Sequence, residues 1–368
     1  MLQEQFEVVL SAAMQDIRWR TRKVILTCRA FEKVEPLRQH ERLIWDFVQK
    51  VLNSGFGVRL VILGRGEVAC TGLTKIYEGS GGRKALDSVT FTTASHGIFS
   101  LIGMNGAGKT TLVRILATQL ALTSGSASID GLDVMKDTKR LRERIAIIPQ
   151  EARTIPWMTP SQSVYSYLLW RGEERGPAKR KAAESLAKVG IGEFASMPNR
   201  KLSGGQRRKV MVAAVLAADA EVTFLDEPTT GLDPISRKEL WNSLEVISRD
   251  RFLVLTTHYL EEAESLANNI AVLDKGRLLG MGDMDSLRRL VRFQFSIRIP
   301  PGQKAPRSEE GNVTAGKNGE TQILTNEDEA RRLSGQLLAD GISFSVNRTT
   351  LDDVFFHLVQ ESGATKDE

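Results

Sequence analysis

A lysine and a threonine that close a run of spaced glycines can do phosphate chemistry. The chain places such a set at Gly103-Met104-Asn105-Gly106-Ala107-Gly108-Lys109-Thr110-Thr111. The run fits G-x-x-x-x-G-K-[ST], in which glycines let successive backbone N–H groups turn toward phosphate oxygens. Lys109 then offers a point charge to the β- and γ-phosphates of a nucleotide, and the Thr110 hydroxyl a ligand to Mg²⁺. Such a loop needs a buried strand before it and a helix N-terminus after it, whose dipole adds positive field. Residues 98–102 read as that strand and residues 111–117 as the start of that helix. A glycine-rich turn matching the pattern by chance would lack this frame.

The second chemical element is a pair of acids. Val222-Thr223-Phe224-Leu225-Asp226-Glu227 reads as a mostly apolar strand ending in two carboxylates. A buried strand would deliver them to the carboxyl edge of a sheet, where the phosphate loop also lies. There Asp226 can hold Mg²⁺ through water, and Glu227 can polarise an attacking water. Two acids at a strand end are common, and Glu227 on its own would read as a solvated loop residue. The phosphate loop gives the pair its meaning.

A third element narrows the class. Leu202-Ser203-Gly204-Gly205-Gln206 lies ahead of the acids, with Ser203 23 residues before Asp226. By itself it is a helix start capped by Ser203, and a capped start with two glycines is an anion site. With these three elements together, the sequence resembles the ABC ATPase family, whose signature is this LSGGQ. The resemblance covers residues 68–284. It implies an α/β P-loop NTPase of ABC type, with a helical subdomain at about residues 151–203. It also implies that Ser203, Gly204, Gly205 and Gln206 of one subunit close over the nucleotide held by another.

Several residues take their roles from the resemblance alone. Tyr77, 26 residues before Gly103, matches the aromatic that stacks on adenine. Gln150 matches the glutamine that senses Mg²⁺ and the attacking water, and Asp233 the aspartate of an inter-subunit loop. His258 matches the histidine that contacts the γ-phosphate. Asn105, Gly106, Gly108, Lys109, Thr110 and Thr111 complete the expected nucleotide site. Thr110, Gln150 and Asp226 form the expected metal set; Glu227, His258 and Gln150 the catalytic one. No motif position is substituted, so the resemblance implies a working ATPase that uses ATP and Mg²⁺. His40, His96 and His357 read as surface or packing residues.

The end of the chain adds a type. Thr350-Leu351-Asp352-Asp353-Val354-Phe355 is similar to the Leu-Glu-Asp-Val-Phe ending of ATPase subunits from drug, polysaccharide and daunorubicin-resistance exporters. On that resemblance the chain is the motor of an exporter, peripheral on the cytoplasmic face of the cell membrane. Its partners are then a transmembrane permease on a separate chain and a second ATP-binding subunit, as a homodimer. The rival is a soluble ABC ATPase acting in assembly, translation or DNA repair. Translation members usually carry two motor domains, and repair members carry long coiled coils or zinc sites; neither pattern is read here. A regulatory adaptor is a weaker third reading, which the intact catalytic set opposes.

Three zones must position these residues. Residues 67–284 alternate short β-rich and helical runs, the form of an α/β domain. Within the helical stretch, Trp157, Tyr165, Tyr167 and Trp170 lie close together, ahead of a charged helix over 177–189. An aromatic group of this kind is usually core; in transporter members a permease helix docks here, which makes part of it partner-facing. Residues 285–368 read as a small accessory module with strands near 293–299, 322–324 and 342–346, a helix over 327–338 and a surface loop over 301–321. A dimer-contact or regulatory role for this module comes from the resemblance only. No internal repeat is read, so one motor domain is expected.

Residues 1–66 depart from the family pattern. They hold 11 Lys/Arg against 7 Asp/Glu, most of the net +5 of the 368-residue chain. Apolar residues at helical spacing over 43–52 fit a basic amphipathic membrane-surface element, or the segment is an over-extended reading frame with no native fold. The second is favoured, because no apolar stripe is sustained. Overall composition is 41% hydrophobic and 26% charged, with a mean hydropathy of −0.19. The basic excess is too weak to argue for nucleic acid. Cys28 and Cys70 have no CxxC or His partners and read as reduced cytosolic thiols. No run reaches the roughly 18 apolar residues of a membrane span, and no signal peptide is read, so a membrane role would need another chain.

Overall fold

The computed structural model describes residues 67–364, with gaps at residues 79–80, 94–96, 250, 292, 304, 307, 309–311 and 316–318. The expectations for residues 1–66, including the helical spacing over 43–52, Cys28 and His40, lie outside the described residues, as does His96.

The described chain begins with β1 (Val68–Tyr77) and β2 (Arg83–Thr92), then β3 (Gly97–Ile102) and α1 (Lys109–Leu116). After β4 (Ser124–Ile129), β5 (Leu132–Asp133) and α2 (Thr138–Arg144) comes β6 (Ile145–Ile148). The helical stretch holds α3 (Pro160–Trp170), α4 (Arg175–Lys188) and α5 (Gly204–Ala217). The α/β pattern resumes with β7 (Val222–Asp226), α6 (Pro234–Ser248), β8 (Phe252–Thr257) and α7 (Leu260–Leu266). It closes with β9 (Asn269–Asp274), β10 (Arg277–Gly282) and α8 (Met284–Leu290).

β3, β7 and β8 are buried along their whole length, as expected for parallel strands covered on both faces. They lie in a sheet of order β10-β9-β3-β8-β7-β6, parallel from β9 to β6 and closed at one edge by antiparallel β10. The register sets Ile102 opposite Thr257 and Asp226 opposite Thr256. The residues that follow β3, β7 and β8 therefore emerge side by side on one edge.

A second sheet, β2-β1-β4-β5, is antiparallel throughout. The alternation read along the sequence did not separate it from the parallel one. It packs with Phe99, Leu112 and Phe224 in one core. Cys70 is buried there, and burial pushes its thiol up to about 12, which leaves it unreactive. On the other face, Leu225, Leu253 and Leu255 pack with α3, α4 and α5. Helix α3 starts at a capping box between Thr159 and Gln162. Tyr165 and Tyr167 pack partly buried against this core, whereas Trp157 is 76% and Trp170 82% exposed.

The last part contains β11 (Phe295–Ile299), β12 (Asn312–Ala315), β13 (Thr321–Thr325), α9 (Glu327–Ala339), β14 (Ser345–Arg348) and α10 (Leu351–Ala364). Its sheet runs β12-β13-β11-β14, all antiparallel. The stretch read as a surface loop over 301–321 thus contains a strand. Asn312-Val313-Thr314-Ala315 is too short and polar to announce itself, and pairing with β13 makes it a strand. Helix α10 does not stay with this small sheet. Its Leu351, Val354, Phe355 and Leu358 pack with Ile102, Ile270, Val272 and Leu287 of the larger unit. His357 lies edge-on to Phe293, 5.1 Å between ring centres, as a packing residue.

Leu351 is fully buried at that junction. Leu351→Ala is expected to cost about 2–5 kcal/mol. A urea melt followed by circular dichroism checks this, as a lowered midpoint.

Candidate nucleotide site

The phosphate loop hangs between β3 and α1, and its shape depends on Gly108. This residue caps α1 with φ +107°, and a Cβ there would lie 2.6 Å from the Ala85 carbonyl oxygen and 2.8 Å from Leu86 Cδ2. Only glycine fits. Lys109 follows as the first helical residue, 5% exposed, and donates to the carbonyls of Gly103 (2.8 Å) and Met104 (3.2 Å). Those bonds fix its ammonium at the wall of the cavity. Burial pulls the Lys109 pKa down, and the carboxylates of Glu227 and Asp226 oppose that pull.

The cavity, of about 460 Å³, is lined by Tyr77, Asn105, Gly106, Gly108, Lys109, Thr110, Thr111, Gln150 and Glu227, with Arg83, Ala85 and Ala107. The Tyr77 hydroxyl is 3.4 Å from the Thr111 hydroxyl, which ties the antiparallel sheet to the first turn of α1. Arg83 pairs with Tyr77 across β1 and β2 and flanks Gly106.

Asp226 and His258 reach the cavity through its lining residues. Asp226 is 1% exposed and accepts from the hydroxyls of Thr110 (3.3 Å) and Thr256. Burial pushes its pKa up, and these two hydroxyls hold it back. Glu227 is 7% exposed and held at every polar atom. One carboxylate oxygen accepts from the Gln150 amide (3.2 Å) and the Thr230 hydroxyl (3.1 Å), and the other lies 3.3 Å from His258 Nδ1. Its N–H donates to the Thr256 carbonyl (3.1 Å) and hydroxyl (3.0 Å). Its backbone is left-handed, φ +49°, which costs a non-glycine residue about 1–2 kcal/mol.

Ser203, Gly204, Gly205, Gln206 and Asp233 do not line this cavity. Ser203 caps α5 in a reciprocal box with Gln206, at 3.1 and 2.9 Å, on an exposed surface. Asp233 caps α6, accepting from the N–H groups of Ile235 and Ser236, both at 3.0 Å. Those bonds, from Ser236 first, hold its carboxyl below the usual range.

The oxygen donors present suit a hard divalent cation that keeps part of its water shell: the Thr110 hydroxyl beside the Asp226 carboxylate, with the Gln150 amide at the same cavity. Among the described residues, no three His, Cys, Asp or Glu side chains form a closed metal site. A hydroxyl–carboxylate pair that shares its metal with a phosphate needs none.

The sequence reading missed Arg83, Thr256, Arg208 and Glu262. Thr256 and Thr257 end an otherwise apolar buried strand, a signal that was available. Arg208 donates to the carbonyls of Asp226, Glu227 and Pro228. Glu262, fully buried with its pKa pushed up by burial, accepts from Thr229 (3.1 Å) and Trp241 Nε1 (2.8 Å). No local pattern marks either residue.

Comparison with known proteins gives these features relatives. Residues 86–230 match the ABC transporter family model. The chain is 30% identical over 305 residues to the daunorubicin/doxorubicin resistance ATP-binding protein DrrA of Streptomyces peucetius, covering 79% of this chain and 92% of DrrA. It is 33% identical to DrrA3 of Streptomyces coeruleorubidus, covering 78% of this chain and 95% of that one. Against mouse ATP-binding cassette sub-family A member 7 it is 31% identical over 79% of its length but spans 14% of that larger protein. The fold also matches an ATP-binding cassette solved as a post-hydrolysis dimer with ADP and Pi. That match has a TM-score of 0.55 at 24% identity and covers 59% of this chain and 98% of the other.

An ionised Asp226 costs stability because burial outweighs the two hydroxyls and the nearby Arg114 and Lys109 charges that favour its charged form. Because burial raises its folded pKa, that cost is full above the folded pKa and fades as the pH falls through it. Asp226→Asn is therefore expected to raise the melting temperature of the nucleotide-free protein by about 2–4 °C at neutral pH. The gain should shrink in acid, as scanning calorimetry at several pH values would report.

Proposed function

Because the chain belongs to the ABC transporter family as an ATP-binding, ATP-hydrolysing subunit, we propose that it powers a membrane exporter through a separate permease. The observation that carries this reading is likeness to the daunorubicin-resistance proteins over 92–95% of their length, well beyond the residues of the family match. A shared ATPase core alone would leave that extra length unmatched. Among the described residues no helix is long and apolar enough to cross a membrane, which fits a permease on another chain.

The exposed surface of the helical stretch supports a docking role. Ile155, Trp157 and Met197 are exposed, and they lie on neighbouring segments. Asn199 donates to the carbonyls of Ile155 and Met158, and Arg200 to that of Pro156. An aromatic and two aliphatic side chains on one pinned surface suit a partner's helix.

The mechanism follows from the groups around the cavity. Tyr77 presents its ring to the base, while the loop amides and Lys109 take the phosphates. Thr110 and Asp226, with Gln150 at the same cavity, would hold Mg²⁺, which when bound would supply charge neutralisation to the phosphates. Glu227 is the base that polarises water for in-line attack. Gln150, Thr230 and His258 hold its two oxygens, so the carboxylate is oriented in advance. The outward-facing Ser203–Gln206 cap closes over the nucleotide of a second copy, and Asp233 lies at that joint. ATP binding then joins two motors, and hydrolysis lets them part. Residues 285–368 serve as an accessory module.

Glu227→Gln is expected to keep ATP binding, lose turnover by about 10²-fold or more, and run as an ATP-dependent dimer on gel filtration. Normal turnover in that variant would remove Glu227 from the chemistry. Lys109→Ala should lose most ATP affinity in a fluorescent-nucleotide titration. Affinity purification from detergent-solubilised native membranes should bring down a polytopic membrane protein in stoichiometric amount. Recovery of soluble partners, ribosomes or DNA instead would favour the non-transport reading.

A further inference from the structure

Helix α5 carries the outward-facing cap at its first turn, and its fifth residue grips the catalytic strand of the same chain. Arg208 Nη2 donates to the carbonyls of Asp226 (2.7 Å) and Glu227 (2.9 Å), and its Nε donates to that of Pro228 (3.1 Å). Three successive carbonyls on one planar guanidinium form a rigid link, which a lysine could not reproduce. The link sits at a residue with a left-handed backbone, Glu227. There the N–H is held from β8 by Thr256 and the carbonyl from α5 by Arg208. With both ends of the residue pinned by different elements, the direction of the Glu227 carboxylate depends on where α5 lies relative to β8.

The two pins differ in kind. Thr256 belongs to the middle of the parallel sheet, paired with β3 on one side and β7 on the other. Arg208 belongs to a helix whose N-terminus, Ser203–Gln206, is an exposed anion site. Ser203 and Arg208 lie about 7.5 Å apart along one uninterrupted helix. A displacement at the cap therefore reaches the guanidinium with no hinge between them.

We propose that Arg208 is a positioning residue that couples the two nucleotide sites of the dimer. When Ser203–Gln206 engages the nucleotide held by the other copy, α5 is fixed, and Arg208 passes that constraint to Glu227 at the chain's own nucleotide. Each site then becomes competent only when the opposite one is filled. The inference rests on the dimer reading given above.

The test uses the full-length protein. Steady-state ATP hydrolysis is measured against ATP concentration for wild type, Arg208→Met and Arg208→Lys. Gel filtration with ATP is run for Glu227→Gln, alone and combined with Arg208→Met. The expected wild-type Hill coefficient is well above 1, approaching about 2 for two coupled sites. Arg208→Met should bring it to about 1 and lower kcat by about ten-fold or more, with half-saturating ATP changed by less than about two-fold. Arg208→Lys, which keeps the charge and most of the packing, should behave like the methionine variant. The doubly substituted chain should still form the ATP-dependent dimer.

A fall in kcat with the Hill coefficient unchanged would make Arg208 a local support for Glu227 and overturn the coupling. A wild type that hydrolyses ATP without cooperativity would overturn it as well. Failure of Glu227→Gln to dimerise would instead sink the dimer reading, and the coupling with it. A clean dimer with cooperativity untouched by Arg208→Lys would sink the coupling alone.

Discussion

Parallel pairing of β8 with both β3 and β7 is the constraint on which the site depends. It sets Ile102 opposite Thr257 and Asp226 opposite Thr256, so three chain segments far apart in sequence leave the sheet at one edge. The phosphate loop, the acid pair and His258 meet because each directly follows one of these strands. A one-residue slip in β7 would turn Asp226 to the other face of the sheet and remove the Thr256 hydroxyl from its carboxylate. Close packing of buried side chains on both faces and the Thr256–Asp226 hydrogen bond oppose such a slip. Fold and chemistry are here one arrangement, with the core holding the register and the register placing the charges.

The site is built from groups in uncomfortable states held by neighbours. Lys109 and Asp226 are buried ions whose charged forms burial disfavours, and Glu227 has a backbone that only glycine adopts without strain. Each is over-determined: Lys109 by loop carbonyls, Asp226 by two hydroxyls, and Glu227 by Thr256, Arg208, Gln150 and Thr230. A bound nucleotide and a cation would add further opposite charge beside these groups. Binding energy can therefore come from relief of burial costs as well as from new contacts.

Much of this was legible in the sequence because the decisive chemistry is local. The phosphate loop, the acid pair and the LSGGQ cap are contiguous runs whose residue types follow from what a phosphate, a metal and a helix start require. Thr111 and Tyr77 both line the cavity. What escaped was non-local. Arg208 matters because a helix crosses beneath the end of β7, and Glu262 because α6, α7 and the turn after Glu227 meet. The antiparallel sheet was hidden because β1 and β2 alternate much as any half-buried strand does. β12 was hidden because four polar-rich residues become a strand only beside β13. Likewise α10 looked like the end of an accessory module, and packing against Ile270 and Val272 assigns it to the larger unit as well.

That last contact bears on how the protein is made. The layer around Ile102, Ile270, Val272 and Leu287 is sealed by Leu351, Val354, Phe355 and Leu358, which follow the last strand of the large sheet by roughly 70 residues. At about 5–20 residues per second, a ribosome takes on the order of 4–15 s to add them. Through that interval Ile102, Ile270 and Val272 of the sheet and Leu287 of α8 lack these partners, a natural hold for a chaperone.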